Sequence, residues 1–325
     1  AVTTRTPGST RPPMPTRLLR RPDRSDAPTA EAPRPLRRPR PPGHPGHHPV
    51  CPTPGNDPAS TSPTDQRPKA TPVPAPTSRL SEDDLHLFAE GSHLRLHHHL
   101  GAHLTELGDV PGATFGVWAP HAERVSVIGD FNGWDPTAHP LTPRAASGVW
   151  EGFVPGAAHG HGYRFAVTTT DGEVVEHADP LAVHAETPPA NASKLWWTDY
   201  TWGDDAWMAA RGARQHREAP ISIYEVHLGS WQRGEDGQRF LTYRELAPHL
   251  IAHLERTGFT HVEFLPVMEH PFYGSWGYQT SGYFAPTSRY GTPEDLMWLI
   301  DQLHQAQIGV ILDWLPAHLP DEWWA

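Results

Sequence analysis

The sequence predicts a multi-domain chain in which an unfolded leader precedes an antiparallel β-sandwich and then a parallel sheet covered by helices. Three observations carry that expectation. The first 80 residues hold 21 of the 38 prolines and none of the Phe, Trp or Tyr residues, so they lack the side chains that build a core. Between about 110 and 200, short alternating segments recur about every ten residues between turn signals, the texture of a small sandwich. After Pro220 the rhythm becomes strand, helix, strand, helix, strand, which is how a parallel sheet is written.

The leader, residues 1–80, is rich in Pro, Arg, Ser and Thr, with polyproline-like pieces at Pro12-Pro13 and Pro41-Pro42. It is expected to be disordered. Proline this dense would break the amphipathic helix of a transit peptide, and a misplaced start or reading frame is another reading of the abrupt change near Ser81. The sandwich is expected over 85–200. Residues 114–119 alternate with Phe115 and Val117 on one face, residues 124–129 alternate before a turn at Asn132-Gly133, and segments 148–154 and 163–167 follow, the last closed by Asp171-Gly172.

Residues 201–220 read as a linker, and 221–325 as the parallel portion. Its first strand is expected over 221–228. Thr242-Tyr243-Arg244-Glu245 is a capping box opening a helix with Leu246, Leu250 and Leu254 on one stripe and Gly258 as its stop. Residues 261–266 form a second strand. A second helix starts at Thr292 with Pro293 in its first turn, carries Leu296, Leu299, Ile300 and Leu303, and yields before Gly309 to a strand over 310–313.

Charge divides along the same boundary. The formal net charge is −11, but residues 1–80 sum to +8 and the remainder to −19. An acidic body argues against a nucleic-acid groove, which needs clustered Lys and Arg. No apolar run approaches the roughly 18 residues of a membrane span, and no secretory signal is visible, so no membrane partner is expected. Cys51 is the only cysteine, which forbids an internal disulfide and is compatible with the cytoplasm.

Ligands of a parallel α/β sheet bind at the C-terminal ends of its strands, and the polar residues fall there. Asp313 ends the third strand with His318 just beyond, and the loop after the second strand holds Glu269, His270, Tyr273, Trp276 and Tyr278. Aromatic faces beside a carboxylate and an imidazole suit a sugar, while a helix cap or loop ion pair is the alternative role for Asp313. Trp134, after the Asn-Gly turn, either stacks on a glucan or packs between the sheets. Trp276 is a second candidate stacking residue. The His97-His98-His99 and His47-His48 tracts lack a further ligand set at defined spacing, so no metal is expected there.

At these residues the chain resembles the bacterial 1,4-α-glucan (glycogen) branching enzymes of the α-amylase superfamily. The resemblance rests on Gly129-Asp-Phe-Asn-Gly-Trp-Asp135, Tyr224-Glu-Val-His-Leu-Gly-Ser-Trp231, Glu263-Phe-Leu-Pro-Val-Met-Glu-His270, Ser275-Trp-Gly-Tyr-Gln279, Gly282 to Gly291 and Asp313-Trp-Leu-Pro-Ala-His318, and it runs over about 85–319. It implies a carbohydrate-binding-module-like sandwich followed by the first three βα units of a (β/α)8 TIM barrel. It also implies that Asp313 and His318 contact the glucose at the cleavage subsite and that Tyr278 stacks on it, with an α-glucan such as glycogen or amylose as partner. The intact enzyme is expected to be monomeric and to need no cofactor. Ala317 stands where some superfamily members hold calcium through an asparagine, and offers no side-chain oxygen.

In that family the aspartate nucleophile follows the fourth barrel strand and the glutamate acid/base the fifth. The 105 residues from 221 to 325 compare with ~250 for a whole barrel. The sequence is therefore expected to be an N-terminal fragment, inactive alone, with Leu319 and residues 320–325 departing from the family pattern. A debranching or trehalose-releasing hydrolase, or a glucan-binding protein without catalysis, are the alternatives.

Overall fold

The computed structural model describes residues 78–318 and Pro320, all within one compact unit, residues 70–325. Residues 1–77, with Cys51 and the His47-His48 tract, lie outside the described residues, as do Leu319 and 321–325.

Helix α1 (Glu82–Ala89) starts where Ser81 caps it, its hydroxyl accepting the Asp84 amide while the Asp84 carboxylate accepts the Ser81 amide. The sandwich follows as β1 (Gly101–Leu107), β2 (Val110–Trp118), β3 (Arg124–Gly129), β4 (Thr142–Pro143), β5 (Val149–Pro155), β6 (Gly162–Thr168), β7 (Val174–His177) and β8 (Ser193–Lys194). One antiparallel sheet has the order β1-β2-β5-β4; in the other, β6 lies between β3 and β7 and also pairs with β8. Residues 124–129 form a strand with the expected bounds. β2 starts four residues before position 114 because it pairs along its length with β1, a strand whose half-covered faces show no clean alternation.

Phe115, Val125, Val127, Trp150, Val154, Tyr163, Phe165 and Leu195 fill the space between the sheets. Each such side chain contributes roughly 1.5–3 kcal/mol by leaving water. Trp134 is not part of this core; it is half-buried, with φ 64.

The parallel portion begins with α2 (Asp205–Arg214), which lies inside the expected linker and buries Trp207. The first strand, β9 (Ile223–Val226), is shorter than expected because the one-turn helix α3 (Leu228–Trp231) begins at its end. Then come α4 (Tyr243–Thr257), β10 (His261–Phe264), the short hairpin β11 (Met268–Glu269) and β12 (Gly282–Pro286), α5 (Pro293–Gln305) and β13 (Gly309–Leu312). The sheet order is β13-β10-β9, all parallel, with Val262 in register between Tyr224 and Val310. Both helices open on Thr capping boxes, at Thr242 and Thr292, and Gly258 ends α4 in the left-handed region at φ 79. Their apolar stripes, Leu246, Leu250 and Leu254 with Leu299 and Leu303, close over Val226, Val262 and Phe264.

The segment leaving the sandwich is laced along α5. The indole of Trp196 donates to Glu294 at 2.9 Å, and the Tyr200 hydroxyl and Gly203 amide donate to the buried Asp301 at 2.6 and 3.1 Å.

Candidate glucan-binding site

The site is built at the C-terminal ends of the three parallel strands by one loop, residues 270–281. Three consecutive residues of that loop each reach a different strand end. The indole of Trp276 lies parallel to the His227 ring just after β9, centroids 5.0 Å apart at 10°. Gly277 meets Pro266 just after β10 so closely that a Cβ would stand 2.2 Å from the Pro266 carbonyl oxygen, and its φ of 86 also favours glycine. The Tyr278 hydroxyl donates to Asp313 Oδ2 just after β13 at 2.7 Å.

That hydrogen bond to Asp313 is the main reason the Tyr278 phenol is pushed up to about 12; burial, the charge on Asp313, and Glu225 and Glu263 add to it. Glu225 and Glu263 stand side by side in register on β9 and β10. Sequence reasoning did not select this pair, although the period-2 pattern puts both on the face opposite Val226, Val262 and Phe264. Asp313 caps no helix and forms no ion pair among the described residues; its Oδ2 accepts from Tyr278. His318 lies exposed beyond the strand at φ 57, with no hydrogen bond to Tyr278 or Asp313 among the described residues. The structure thus joins Tyr278 to Asp313 and leaves His318 apart from them.

The neck of the loop is held by Glu269, which the sequence showed only as part of a motif. Its Oε1 accepts from Arg289 Nη1 at 2.8 Å, from the Thr287 hydroxyl at 3.1 Å and from the His270 amide at 3.0 Å; its Oε2 accepts from the Ser288 amide and hydroxyl at 2.7 and 2.8 Å. Both ion-pair side chains are buried, and five donors to one carboxylate are what makes a buried charge tolerable. The neighbouring His270 is buried; Nδ1 meets the Met268 carbonyl at 2.8 Å while Nε2 has no protein partner. Burial pushes His270 down to about 4, and burial followed by the charges of His270 and Arg233 pushes His227 to about 4 as well. Both rings are therefore neutral near pH 7.

Trp276 is 48% exposed despite its stack on His227, so it presents aromatic surface beside Tyr278. Trp134 is far from it in sequence, on the sandwich; its indole donates to Asp130 at 3.2 Å and the Arg164 guanidinium stands 5.8 Å from its ring. Core packing between the sheets, one of its two expected roles, is not what this residue does.

Comparison with known proteins agrees with this layout. Residues 99–182 match carbohydrate-binding module 48 (isoamylase N-terminal domain), and residues 249–325 match the catalytic domain of alpha amylase. The chain is 57% identical over 246 residues to the 1,4-alpha-glucan branching enzyme GlgB of Aromatoleum aromaticum, covering 75% of this chain and 38% of that protein. It is 53% identical over 247 residues to the enzyme of the same name from Aquifex aeolicus, covering 75% and 39%. The pullulanase from Bacillus acidopullulyticus shares the fold at 23% identity, with a TM-score of 0.51 over 68% of this chain and 30% of that one. The chain thus spans under two fifths of the length of the curated relatives it matches.

Proposed function

We propose that the chain, which matches 1,4-α-glucan branching enzymes over three quarters of its length, supplies the glucan-holding part of such an enzyme. The observation that carries this is the loop whose residues Trp276, Gly277 and Tyr278 dock on the ends of β9, β10 and β13 in turn. It puts an exposed aromatic face, a phenol and a carboxylate at the end of the sheet where barrels bind ligands. Asp313 and His318 take the hydroxyls of the glucose at the cleavage subsite, Tyr278 stacks on that sugar, and Trp276 extends the platform. Trp134 gives the sandwich a second contact with the polymer. The charge of −19 beyond residue 80 suits a neutral glucan rather than a nucleic acid.

Branching breaks an α-1,4 link and remakes it as α-1,6. A carboxylate attacks C1 as a carboxylic acid protonates the departing O4; the 6-hydroxyl of a second glucan then gives its proton to the carboxylate so formed and displaces the enzyme from C1. Both groups belong after the fourth and fifth strands of the barrel, and the described residues form three. The 325-residue chain is therefore expected to bind glucan without transferring it. Retention on glycogen beads, combined with an iodine-based branching assay on amylose, tests both halves. Retention without branching is expected. Turnover by this chain overturns the assignment of the missing carboxylates, and failure to be retained overturns the binding site.

A further inference from the structure

Away from the sugar site, Asp84 on α1 and His93 and His99 in the turns before β1 converge at one point. Asp84 Oδ1 lies 3.0 Å from His93 Nε2 and 3.7 Å from His99 Nε2, and the three ligand atoms lie within 4.8 Å of one another. A tetrahedral ion with bonds of about 2.0–2.1 Å sets its ligands roughly 3.4 Å apart, a value between those two separations.

The hydrogen bonds around the cluster decide where the lone pairs point. His99 Nδ1 is 2.6 Å from the Arg79 carbonyl oxygen, which can only accept. The ring hydrogen of neutral His99 is thus on Nδ1, and a bare Nε2 faces a carboxylate oxygen. A cation placed between those two lone pairs would satisfy both. Asp84 Oδ2 is already taken by the amide and hydroxyl of Ser81 at 2.8 and 2.7 Å, which orients Oδ1 inward as outer-shell contacts do around metal ligands. His93 is 5% exposed, and its Nδ1 now accepts the Arg95 amide at 3.1 Å. A metal on Nε2 moves that ring hydrogen to Nδ1 and hands the amide of the exposed Arg95 to water.

We propose that Asp84, His93 and His99 bind one zinc-type divalent cation, with water as the fourth ligand. Two imidazoles and one carboxylate favour such an ion over calcium or magnesium, which prefer all-oxygen sets. The bound ion would fasten α1 to the turn that leads into β1, over the small apolar cluster of Leu80, Leu100 and Val149. Of the histidine tract, only His99 takes part; the spacing 84, 93, 99 matches no standard zinc pattern and only the fold brings it together.

Zinc competition against a chromophoric chelator, with cobalt as a spectroscopic stand-in, tests the proposal on the full 325-residue chain. One equivalent with a tetrahedral cobalt spectrum is expected. His99→Gln and Asp84→Asn, the latter keeping an acceptor for the helix cap, should each weaken that site roughly tenfold or more. The double variant H97A/H98A and the triple variant H44A/H47A/H48A should leave it intact. Zinc should also slow amide exchange in α1 in the parent chain and not in His99→Gln, which separates site loss from misfolding. Unchanged affinity in His99→Gln, or loss of the tight site on removing His44, His47 and His48, overturns the proposal.

Discussion

At the scale of single residues, the Tyr278–Asp313 contact couples a hydroxyl that titrates to the carboxylate proposed to bind the sugar. The phenol is pushed up to about 12 from an ordinary 10, so its folded value lies above its unfolded one. The stabilisation it brings is whole below about pH 10 and is lost as pH rises toward 12. Burial also pushes up Tyr163, Tyr200, Tyr243 and Tyr290, so the test is a spectrophotometric difference titration: Asp313→Asn should return one tyrosine toward the ordinary value and leave the other late ones unchanged. Tyr278→Phe keeps the ring for stacking but frees Asp313, and glucan affinity should fall by about 1 kcal/mol, the worth of one hydrogen bond, as read by calorimetry. His270 runs the other way. Its folded value, about 4, is below the ordinary 6.5, so its contribution is whole above about pH 6.5 and disappears as pH falls toward 4. That difference is worth about 3 kcal/mol, and urea midpoints should drop over this window in the parent chain and less in His270→Gln.

At the scale of elements, the β11–β12 hairpin is a clamp for the loop it carries. Glu269→Ala leaves Arg289 buried without its partner, a loss of about 3–5 kcal/mol; denaturant unfolding measures it, and the late ionisation of Tyr278 should be lost with it. Gly277→Ala should displace the loop tip with less effect on stability elsewhere, since its clash is with the Pro266 backbone. Much at this scale was legible beforehand. The helices α4 and α5 announce themselves by Thr capping boxes and apolar stripes, and β3 by alternation, because local sequence alone sets those features. β1, α2 and the two-residue strand β11 were not, since each is held by partners distant in sequence: β1 by β2, α2 by Trp207 stacking on His304 of α5, and β11 by an irregular pairing with β12. The site divides likewise. Tyr278 and Asp313 stand out as residue types at strand ends, whereas the hydrogen bond between them and the Glu269 clamp exist only once the loop has folded back.

At the scale of the molecule, the lacing along α5 should make the sandwich and the parallel portion unfold together. Asp301→Ala removes the acceptor of Tyr200, Gly203 and Gln305 and should cost roughly 3 kcal/mol, the upper range for a hydrogen bond to a charged group. Calorimetry should then resolve two transitions where the parent chain shows one. The sheet order β13-β10-β9 also carries a consequence in time. β10 is the middle strand, so it completes its pairing only after both crossover helices have closed, a search over long stretches of chain. The sandwich needs no such wait for its first ladder, because β1 and β2 turn directly into each other at Gly108 and Asp109. Chains rich in local pairing fold faster than those dominated by distant pairing, and synthesis delivers the sandwich to solution first. A growing chain would therefore carry a finished sandwich while its parallel sheet still awaited β13.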